Sequence, residues 1–552
     1  MRAATAVLPG ALALVLIAGC TGSDDPGSGA GTSAAPAAAV VTAAPDAPRT
    51  LIADADPVAS AVSTSRALFK SAPVAVVAER DDPSAQLLGA VSAVGLGVPL
   101  LLGAGDTGEV VGPELDRLGV RTVLAVGSDA AALVPGGGDA DVVAVPADAD
   151  AVRQVTGLDL AAPQPVAEAD RAAAVARLAP DDLPALQADG APAPPSGRTS
   201  GELPAVHRAD PLDDVVALAS GSADSLAGIA TARAAGADVL LTGGSTDPRG
   251  STEIVDRLSA HPTVVVLGAD LAGAPGIGWQ LDAAASGTQL PGGGQLLFPQ
   301  HTFVALYGIP GSGALGLLGE QDLPASIQRA QQMAQPYRSL VSTTVVPAFE
   351  IIATVASSAA GPDGNYSTET DPEALRPWVE AAGAAGMYVV LDLQPGRTDF
   401  LTQAREYESL LQLPYVGLAL DPEWRLAPGQ VHLTQIGQVG IDEVNGGVTW
   451  LADLTRAHAL PQKLLVLHQF QVRMIPGIER LDTSRAELAL MVHADGQGGQ
   501  AAKQDTWRVL HQYAPPGVAW GWKNFVDEDS PMLTPAQTIA QVQPTPQLVT
   551  YQ

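Results

Sequence analysis

Short runs of consecutive apolar residues recur between residues 70 and 280, separated by Ala- and Leu-rich stretches long enough for a helix. Unbroken apolar runs are typical of parallel strands that helices cover on both faces. The runs form two copies of one order, strand–helix–strand–helix–strand, which predicts a tandem repeat of doubly wound α/β units. The predicted strands are 74–78, 98–103 and 122–127 in the first copy and 215–219, 239–243 and 263–268 in the second.

Eight more apolar segments follow residue 300, most of them spaced widely enough to leave room for a helix. Eight strands with intervening helices in about 250 residues match the size of a (β/α)8 barrel. The predicted fold class is therefore α/β, with a tandem doubly wound region followed by a TIM-like barrel. The predicted barrel strands are 303–307, 345–350, 388–393, 416–420, 464–470, 488–493, 518–523 and 548–551.

The first twenty residues combine Arg2 with an apolar stretch too short to span a bilayer, and they end at Cys20, the one cysteine of the chain. The IAGC segment at 17–20 resembles the lipobox of bacterial lipoproteins. That resemblance implies cleavage before Cys20, acylation of its thiol, and a lipid anchor on the extracytoplasmic face of the cell membrane. An ordinary secretion signal with a chance cysteine is the alternative.

Composition divides the 552 residues into four parts. Residues 1–19 are the predicted signal peptide, and residues 20–48, rich in Ser, Gly, Ala, Pro and Asp, are a predicted disordered tether. The tandem repeats occupy 49–290, and a Gly-rich stretch leads into the barrel at 291–552.

A formal net charge of −30 excludes most nucleic-acid binders, because phosphate contacts need a basic face. The same charge argues against binding to anionic lipids through a cluster of basic residues. Neutral glycans and cations remain compatible partners. The GSGALG segment at 311–316 fits G-x-G-x-x-G, but the next strand starts about 30 residues later, too far for the acid of a dinucleotide site, so a Gly-rich barrel loop is favoured and no cofactor is predicted. No H-x-H or H-E-x-x-H spacing indicates a metal site. His493 and Asp495, with Asp392 and His468, have the donor types for a metal but at an unspecific spacing.

Four segments of the repeats resemble the cell wall-binding repeat 2 family: VPLLLG at 98–103, LDRLGVRTVLAVG at 115–127, DVLLTGG at 238–244 and PTVVVLG at 262–268. The resemblance implies non-covalent retention on secondary polymers of the cell wall. The family's usual Phe-Pro-Asp-Ala segment is DPSA here, at 82–85, and the copies lack the basic residues that would hold an anionic polymer. A doubly wound domain that only supports the barrel is the alternative.

Polar residues lie at the carboxyl ends of the predicted barrel strands, where the catalytic residues of barrel enzymes lie. Asp421 and Glu423 directly follow the buried run 416–420, and two-residue spacing on extended backbone points both side chains the same way. We expect the strand-end residues to meet at one mouth of the barrel. They are Tyr307, Glu350, Asp392, Asp421, Glu423, Gln469, His493, Asp495 and Lys523. For Asp495 and Lys523, a water-facing loop position is the favoured interpretation.

The GLALDPE segment at 417–423 resembles the D-G-x-D-x-D-x-E signature of family 18 glycoside hydrolases in its last two acids, although Val416 and Ala419 replace the earlier aspartates. The MVHAD segment at 491–495 loosely resembles that family's M-x-Y-D. The resemblance implies that Glu423 protonates the glycosidic oxygen while Asp421 orients a substrate acetamide that acts as the nucleophile.

A substrate without an acetamide would need Glu350, Asp392 or Asp421 as base or nucleophile. The predicted catalytic residues are thus Glu423, Asp421, Glu350 and Asp392. The predicted substrate-binding residues are Tyr307, Trp424, Gln469, His493 and Trp522, the tryptophans by stacking on sugar rings. The leading hypothesis is hydrolysis of a cell-envelope polysaccharide. The alternatives are a non-catalytic glycan-binding surface protein and a metal-dependent carbohydrate deacetylase.

Overall fold

Two four-stranded parallel sheets form the region before residue 290 in the computed structural model of the protein. The structure describes residues 39–105, 107–128, 132, 134, 140–191, 201–261 and 263–552. Cys20 and most of the predicted tether lie outside these residues. The strands of this region are β1 (Val41–Thr42), β2 (Arg49–Ile52), β3 (Phe69–Ser71), β4 (Val74–Glu79), β5 (Leu100–Gly103), β6 (Thr122–Val126), β7 (Asp141–Val145), β8 (Pro163–Val166), β9 (Ala185–Ala188), β10 (Val215–Ala219), β11 (Asp238–Leu241) and β12 (Thr263–Leu267).

The two larger sheets repeat one strand order, β5-β4-β6-β7 and β11-β10-β12-β2. The fourth strand of the second sheet, β2, comes from the chain segment before the first copy, so the two copies are interleaved along the sequence. The small pair β1 and β3 places ordered structure at Val41, before the predicted end of the tether at residue 48. The helices around the sheets are α1 (Pro57–Leu68), α2 (Pro83–Leu96), α3 (Gly108–Leu118), α4 (Ala149–Thr156), α5 (Arg171–Ala176), α6 (Leu226–Ala234), α7 (Thr252–Ala260), α8 (Ala269–Ala272) and α9 (Ile277–Ala285).

Local sequence fixes the ends of α2. The Asp82 carboxylate accepts hydrogen bonds from the backbone N–H of Ser84 and of Ala85, 2.9 and 3.2 Å away, and Pro83 occupies the first turn, where its missing N–H costs nothing. Gly97 ends the helix with φ of 72°, in the left-handed region that glycine adopts most easily. The DPSA segment is therefore a helix start in this chain.

A closed barrel of eight parallel strands follows, as predicted, and every predicted barrel strand is present. It closes because the first strand pairs with both the second and the last. The strands from here on are β13 (His301–Gly308), β14 (Thr344–Ala356), β15 (Ser367–Glu369, an antiparallel extension of β14), β16 (Tyr388–Leu393), β17 (Val416–Leu420), β18 (Lys463–Gln469), β19 (Leu488–Ala494), β20 (Ala519–Asn524) and β21 (Leu548–Tyr551).

The outer helices of the barrel vary in length, and the fully described segment between β18 and β19 contains only two short 3-10 turns. Within the part of the chain that the structure describes, no helix has the length and apolarity of a bilayer span. The helices are α10 (Leu323–Ala334), α11 (Pro372–Ala384), α12 (Phe400–Glu406), α13 (Glu408–Leu411), α14 (Ile441–Ala457), α15 (Gln500–Tyr513) and α16 (Pro535–Gln541).

Alternation along the strands divides the barrel core into two apolar clusters. One lies between strands and helices and includes Leu306, Phe349 and Leu418. The other fills the barrel interior and includes Phe303 and Tyr388. Because successive strand residues point to opposite faces, the position two residues beyond each interior residue also points inward. This rule decides which strand-end side chains reach the site.

Candidate active site

An inward-facing layer of polar side chains lies above the apolar interior, at the carboxyl ends of the strands. Each member follows an interior apolar or small residue at a spacing of two, as Tyr307 follows Ala305 and Glu350 follows Ala348. Seven of the eight barrel strands contribute a fully or nearly fully buried member within the strand. For the remaining strand, β17, the member is Asp421, which directly follows its last residue. The strand members are Tyr307, Glu350, Asp392, His468, His493, Lys523 and Thr550.

Glu350 contacts His468 directly and is linked to His493 through the Thr550 hydroxyl. Its Oε1 lies 2.8 Å from Nε2 of His468, and its Oε2 accepts a hydrogen bond of 2.9 Å from the Thr550 hydroxyl. That hydroxyl is also 3.0 Å from Nε2 of His493. Burial opposes ionisation of Glu350, but the charge and hydrogen bond of His468 outweigh it and lower the pKa of Glu350 to about 2.

Asp495 faces two cationic side chains. Its Oδ1 lies 3.1 Å from the Lys523 ammonium and its Oδ2 lies 3.0 Å from Nδ1 of His468. Although burial opposes it, the Glu350, Asp392 and Asp495 charges raise the pKa of His468 well above its usual value, so His468 is an imidazolium. Despite burial, Lys523 and His468 lower the pKa of Asp495. Asp495 is therefore ionised at neutral pH.

Three further carboxyl groups have no such excess of positive charge. Burial raises the pKa of Asp392 to about 6, and burial together with the Asp392 charge raises the pKa of Asp421 well above its ordinary value. Burial and the Asp495 charge raise the pKa of Glu423 to about 7. The site thus combines two cations, two firmly ionised acids and three acids that hold protons more tightly than usual.

Asp421 also shapes the turn that carries Glu423. Its Oδ1 accepts a hydrogen bond of 3.1 Å from the backbone N–H of Glu423, and Pro422 starts a short 3-10 turn there. The Glu423 side chain is partly exposed, whereas Asp421 is buried. The same turn that closes β17 therefore directs Glu423 toward the space above the barrel.

A cavity of about 680 Å3 opens above this layer, within the size range of small-molecule pockets. Its floor includes Tyr307, Asp421, Glu423, Asp495 and Lys523. The rest of its wall contains large apolar side chains, namely Leu315, Ile352, Val355, Trp424, Leu433, Ile436, Phe470 and Phe525, together with polar side chains such as Gln394 and Gln471. The site therefore offers hydrogen-bonding groups and apolar surface to the same ligand.

The predicted site residues fall into three groups. Tyr307, Asp421, Glu423 and Trp424 line the cavity. Glu350, Asp392 and His493 belong to the same inward layer but have no or almost no exposed surface, so they support the floor from beneath. The third group consists of Gln469 and Trp522, which do not line the cavity.

These two side chains stand on the opposite face of their strands. Trp522 belongs to the cluster between strands and helices, where it packs 5.7 Å, centroid to centroid, from Trp507 of α15. The Gln469 amide lies 3.3 Å from the backbone oxygens of Gln471 and Val472. Strand alternation explains both positions, because each lies one residue away from an inward member of its strand.

Asp495, Lys523, His468 and Thr550 complete the site, although the sequence favoured loop positions for the first two. Counting in steps of two from the interior apolar residues would have selected His468, Lys523 and Thr550. Asp495 continues the same series two residues beyond His493, one position past the end of β19.

Three side chains of types that bind transition metals also lie close together at this site. One ring nitrogen of His468, one of His493 and a carboxylate oxygen of Asp495 lie within 4.8 Å of one another. The Lys523 ammonium and the His468 imidazolium already supply the positive charge beside Asp495.

No family model and no curated protein matches the chain. Among solved structures, Cwp6 from Clostridium difficile matches with a TM-score of 0.29 and 13% sequence identity, over 58% of this chain and 67% of that chain. A TM-score this low supports no inference about this protein.

Proposed function

We propose that the barrel hydrolyses glycosidic bonds of a cell-envelope polysaccharide, with Glu423 as the general acid. The observation that carries the proposal is the pKa of about 7 for a carboxyl group that faces a cavity of about 680 Å3. A general acid works best when its pKa lies near the working pH, since it must be protonated and yet release its proton.

The surroundings of Glu423 support this role. Asp421 accepts a hydrogen bond from the Glu423 backbone and so holds the turn in place. Trp424 supplies an aromatic surface at the cavity wall, and Gln394 and Gln471 supply amides beside the acids. Polar groups with an aromatic surface suit the mixed polar and apolar faces of a sugar ring.

We further propose that the protein acts at the cell surface. The lipobox-like segment ending at Cys20 supports lipid anchoring, and the resemblance of the repeats to wall-binding repeats supports retention at the wall. Arg249 donates a hydrogen bond of 2.9 Å to the backbone oxygen of Ala486, just before β19. This contact joins the repeat region to the amino-terminal ends of the barrel strands, opposite the cavity, which would leave the cavity open toward a glycan.

The test is the release of reducing ends from purified cell-envelope polysaccharide by the wild type, by Glu423→Gln and by a matched control, Glu479→Gln. Glu479 is exposed and is not part of the cavity wall. Loss of a general acid should lower kcat at least about 100-fold, while the control should match the wild type. Because Glu423 must be protonated, the wild-type kcat should fall as the pH rises through about 7.

Binding of the same polysaccharide is measured in parallel. Turnover by the wild type with retained binding by Glu423→Gln would support the proposal. Binding by both proteins with no turnover by either would overturn it and favour the non-catalytic glycan-binding function. Release of acetate without new reducing ends, abolished by removal of stoichiometric zinc, would instead favour a metal-dependent deacetylase.

A further inference from the structure

Resting on the proposed glycosidase function, we propose that Asp495 is the catalytic nucleophile, and that it attacks the anomeric carbon while Glu423 protonates the departing oxygen. The protein would then be a retaining glycoside hydrolase with two protein carboxylates. The substrate would need no acetamide group, which widens its class beyond N-acetylated sugars.

The placement of Asp495 carries this inference. Of the five carboxyl groups at the site, Asp421, Glu423 and Asp495 line the cavity. Asp495 lies at the carboxyl end of β19 and Glu423 beyond the end of β17, with β18 between them in the barrel. The two side chains therefore approach the same cavity from different strands, as two carboxylates on either side of a scissile bond require.

The partners of Asp495 keep it negatively charged. The ammonium of Lys523 is 3.1 Å from one carboxylate oxygen, and the ring of His468 is 3.0 Å from the other. His468 is itself held by Glu350, and the Lys523 ammonium lies 3.5 Å from the centre of the Tyr307 ring. These contacts fix the orientation of Asp495 before substrate arrives, which is the preorganisation that catalysis needs.

The other acids fit this role less well. Glu350 and Asp392 have no exposed surface, so neither can reach a substrate in the cavity. Asp421 lines the cavity, but its Oδ1 already accepts a hydrogen bond from the backbone N–H of Glu423, and burial raises its pKa well above its ordinary value, which favours the neutral form. Asp495 is thus the cavity-lining carboxylate whose neighbours, Lys523 and His468, favour its ionised form.

The ionisation of Asp495 also distinguishes a role as nucleophile from a role as general base. A general base that activates water needs a pKa not far below the working pH, because it must hold the proton it removes. Lys523 and His468 instead lower the pKa of Asp495, which weakens it as a base. A low pKa suits a nucleophile that stays ionised and that later departs readily from the anomeric carbon.

The reaction balances with water as the co-substrate. In the first step, an Asp495 oxygen bonds to the anomeric carbon as the glycosidic C–O bond breaks, and the departing oxygen takes that electron pair and the Glu423 proton. In the second step, a water oxygen bonds to the anomeric carbon, Glu423 takes a water proton, and Asp495 departs with the electrons of the ester bond. The anomeric configuration is retained.

The experiment uses the polysaccharide that the wild-type protein cleaves, with Asp495→Ala, Asp392→Ala and Glu423→Gln. We expect Asp495→Ala to lose at least 1,000-fold in kcat and to recover at least tenfold with added sodium azide. The recovered product should be a glycosyl azide of inverted anomeric configuration, identified by NMR and mass spectrometry. Asp392→Ala is the matched control, because it also removes a buried carboxylate of the floor but one outside the cavity wall. Azide should not rescue it.

Folding is checked with Asp495→Asn, which keeps the size of the side chain, and by near-UV circular dichroism of each variant. Wild-type turnover with an unaffected Asp495→Asn, or with inverted products, would overturn the role of Asp495 and leave the glycosidase function standing. Absence of wild-type turnover would overturn both. Azide rescue confined to Asp495→Ala supports the nucleophile.

Discussion

Glu350→Gln measures how strongly the buried charge network stabilises the barrel. Glu350 is fully buried, and each of its oxygens has a partner: Nε2 of His468 at 2.8 Å and the hydroxyl of Thr550 at 2.9 Å. The amide keeps the shape of the carboxylate but removes its charge. The His468 imidazolium then loses its nearest counter-ion in a medium of low dielectric constant.

The magnitude follows from the pKa of Glu350. A drop from its ordinary value of 4.5 to about 2 corresponds, at 1.36 kcal/mol per pH unit, to about 3 kcal/mol of folding free energy at pH 7. Breaking a buried ion pair by removing one partner typically costs about 3–5 kcal/mol. Because the folded-state pKa is depressed, this stabilisation is complete above about pH 4.5 and is lost as the pH falls through about 2. At pH 3 roughly half remains.

The assay is urea unfolding followed by tryptophan fluorescence. Six of the seven tryptophans lie beyond residue 370, so the signal reports mainly on the barrel. We expect Glu350→Gln to lower the free energy of unfolding by about 3 kcal/mol at pH 7 and by about half as much at pH 3. Thr354→Val is the control: the buried Thr354 hydroxyl donates to the Gln403 amide oxygen at 2.9 Å, a bond between neutral groups, so its cost of about 1 kcal/mol should not depend on pH in this range.

A cost below about 1 kcal/mol for Glu350→Gln at pH 7, or an equal cost at pH 7 and pH 3, would refute this account. Either result would mean that the charge of Glu350 contributes little to folding. The imidazolium of His468 would then have to be stabilised by Asp392 and Asp495 alone.

Three other predictions concern the base of the barrel, its outer wall and the cavity. Lys463 donates to the backbone oxygens of Leu413 and Val416, at 2.8 and 2.9 Å, and burial lowers its pKa to about 7. The wild type should therefore gain stability relative to Lys463→Met as the pH rises from 7 toward 10, as thermal unfolding would show, and a constant difference would contradict this. Trp522→Ala should cost about 3–5 kcal/mol of unfolding free energy and leave glycan affinity unchanged. Trp424→Ala should weaken glycan binding up to roughly tenfold at little cost in stability, and the reverse pattern in calorimetry would contradict both assignments.

The barrel strands could be predicted because their signal is local. Each is a run of apolar residues with room for a helix on either side, and all eight appear where the pattern indicated. The strand β2 could not be placed in the same way. Its pairing with β12 joins segments more than 200 residues apart, at Leu51 and Val266, and nothing in the local sequence of β2 specifies that partner.

The candidate site was predictable in part. The acids after β17 were identified from sequence, because an apolar strand that ends in Asp421 and Glu423 is a local feature. Strand alternation, applied more strictly, would also have replaced Gln469 by His468 and removed Trp522 from the substrate-binding residues. These differences of one position move a side chain from the inside of the barrel to the outside.

Local pattern therefore determined the order and type of the elements, because apolar periodicity depends only on near neighbours. Tertiary structure decided the chemical state of the acids. Asp495 and Glu423 are both carboxyl groups, yet Lys523 and His468 lower the pKa of Asp495 while burial and the Asp495 charge raise that of Glu423 to about 7. Those neighbours come from separate strands, so their electric fields act on one point only after the barrel has closed.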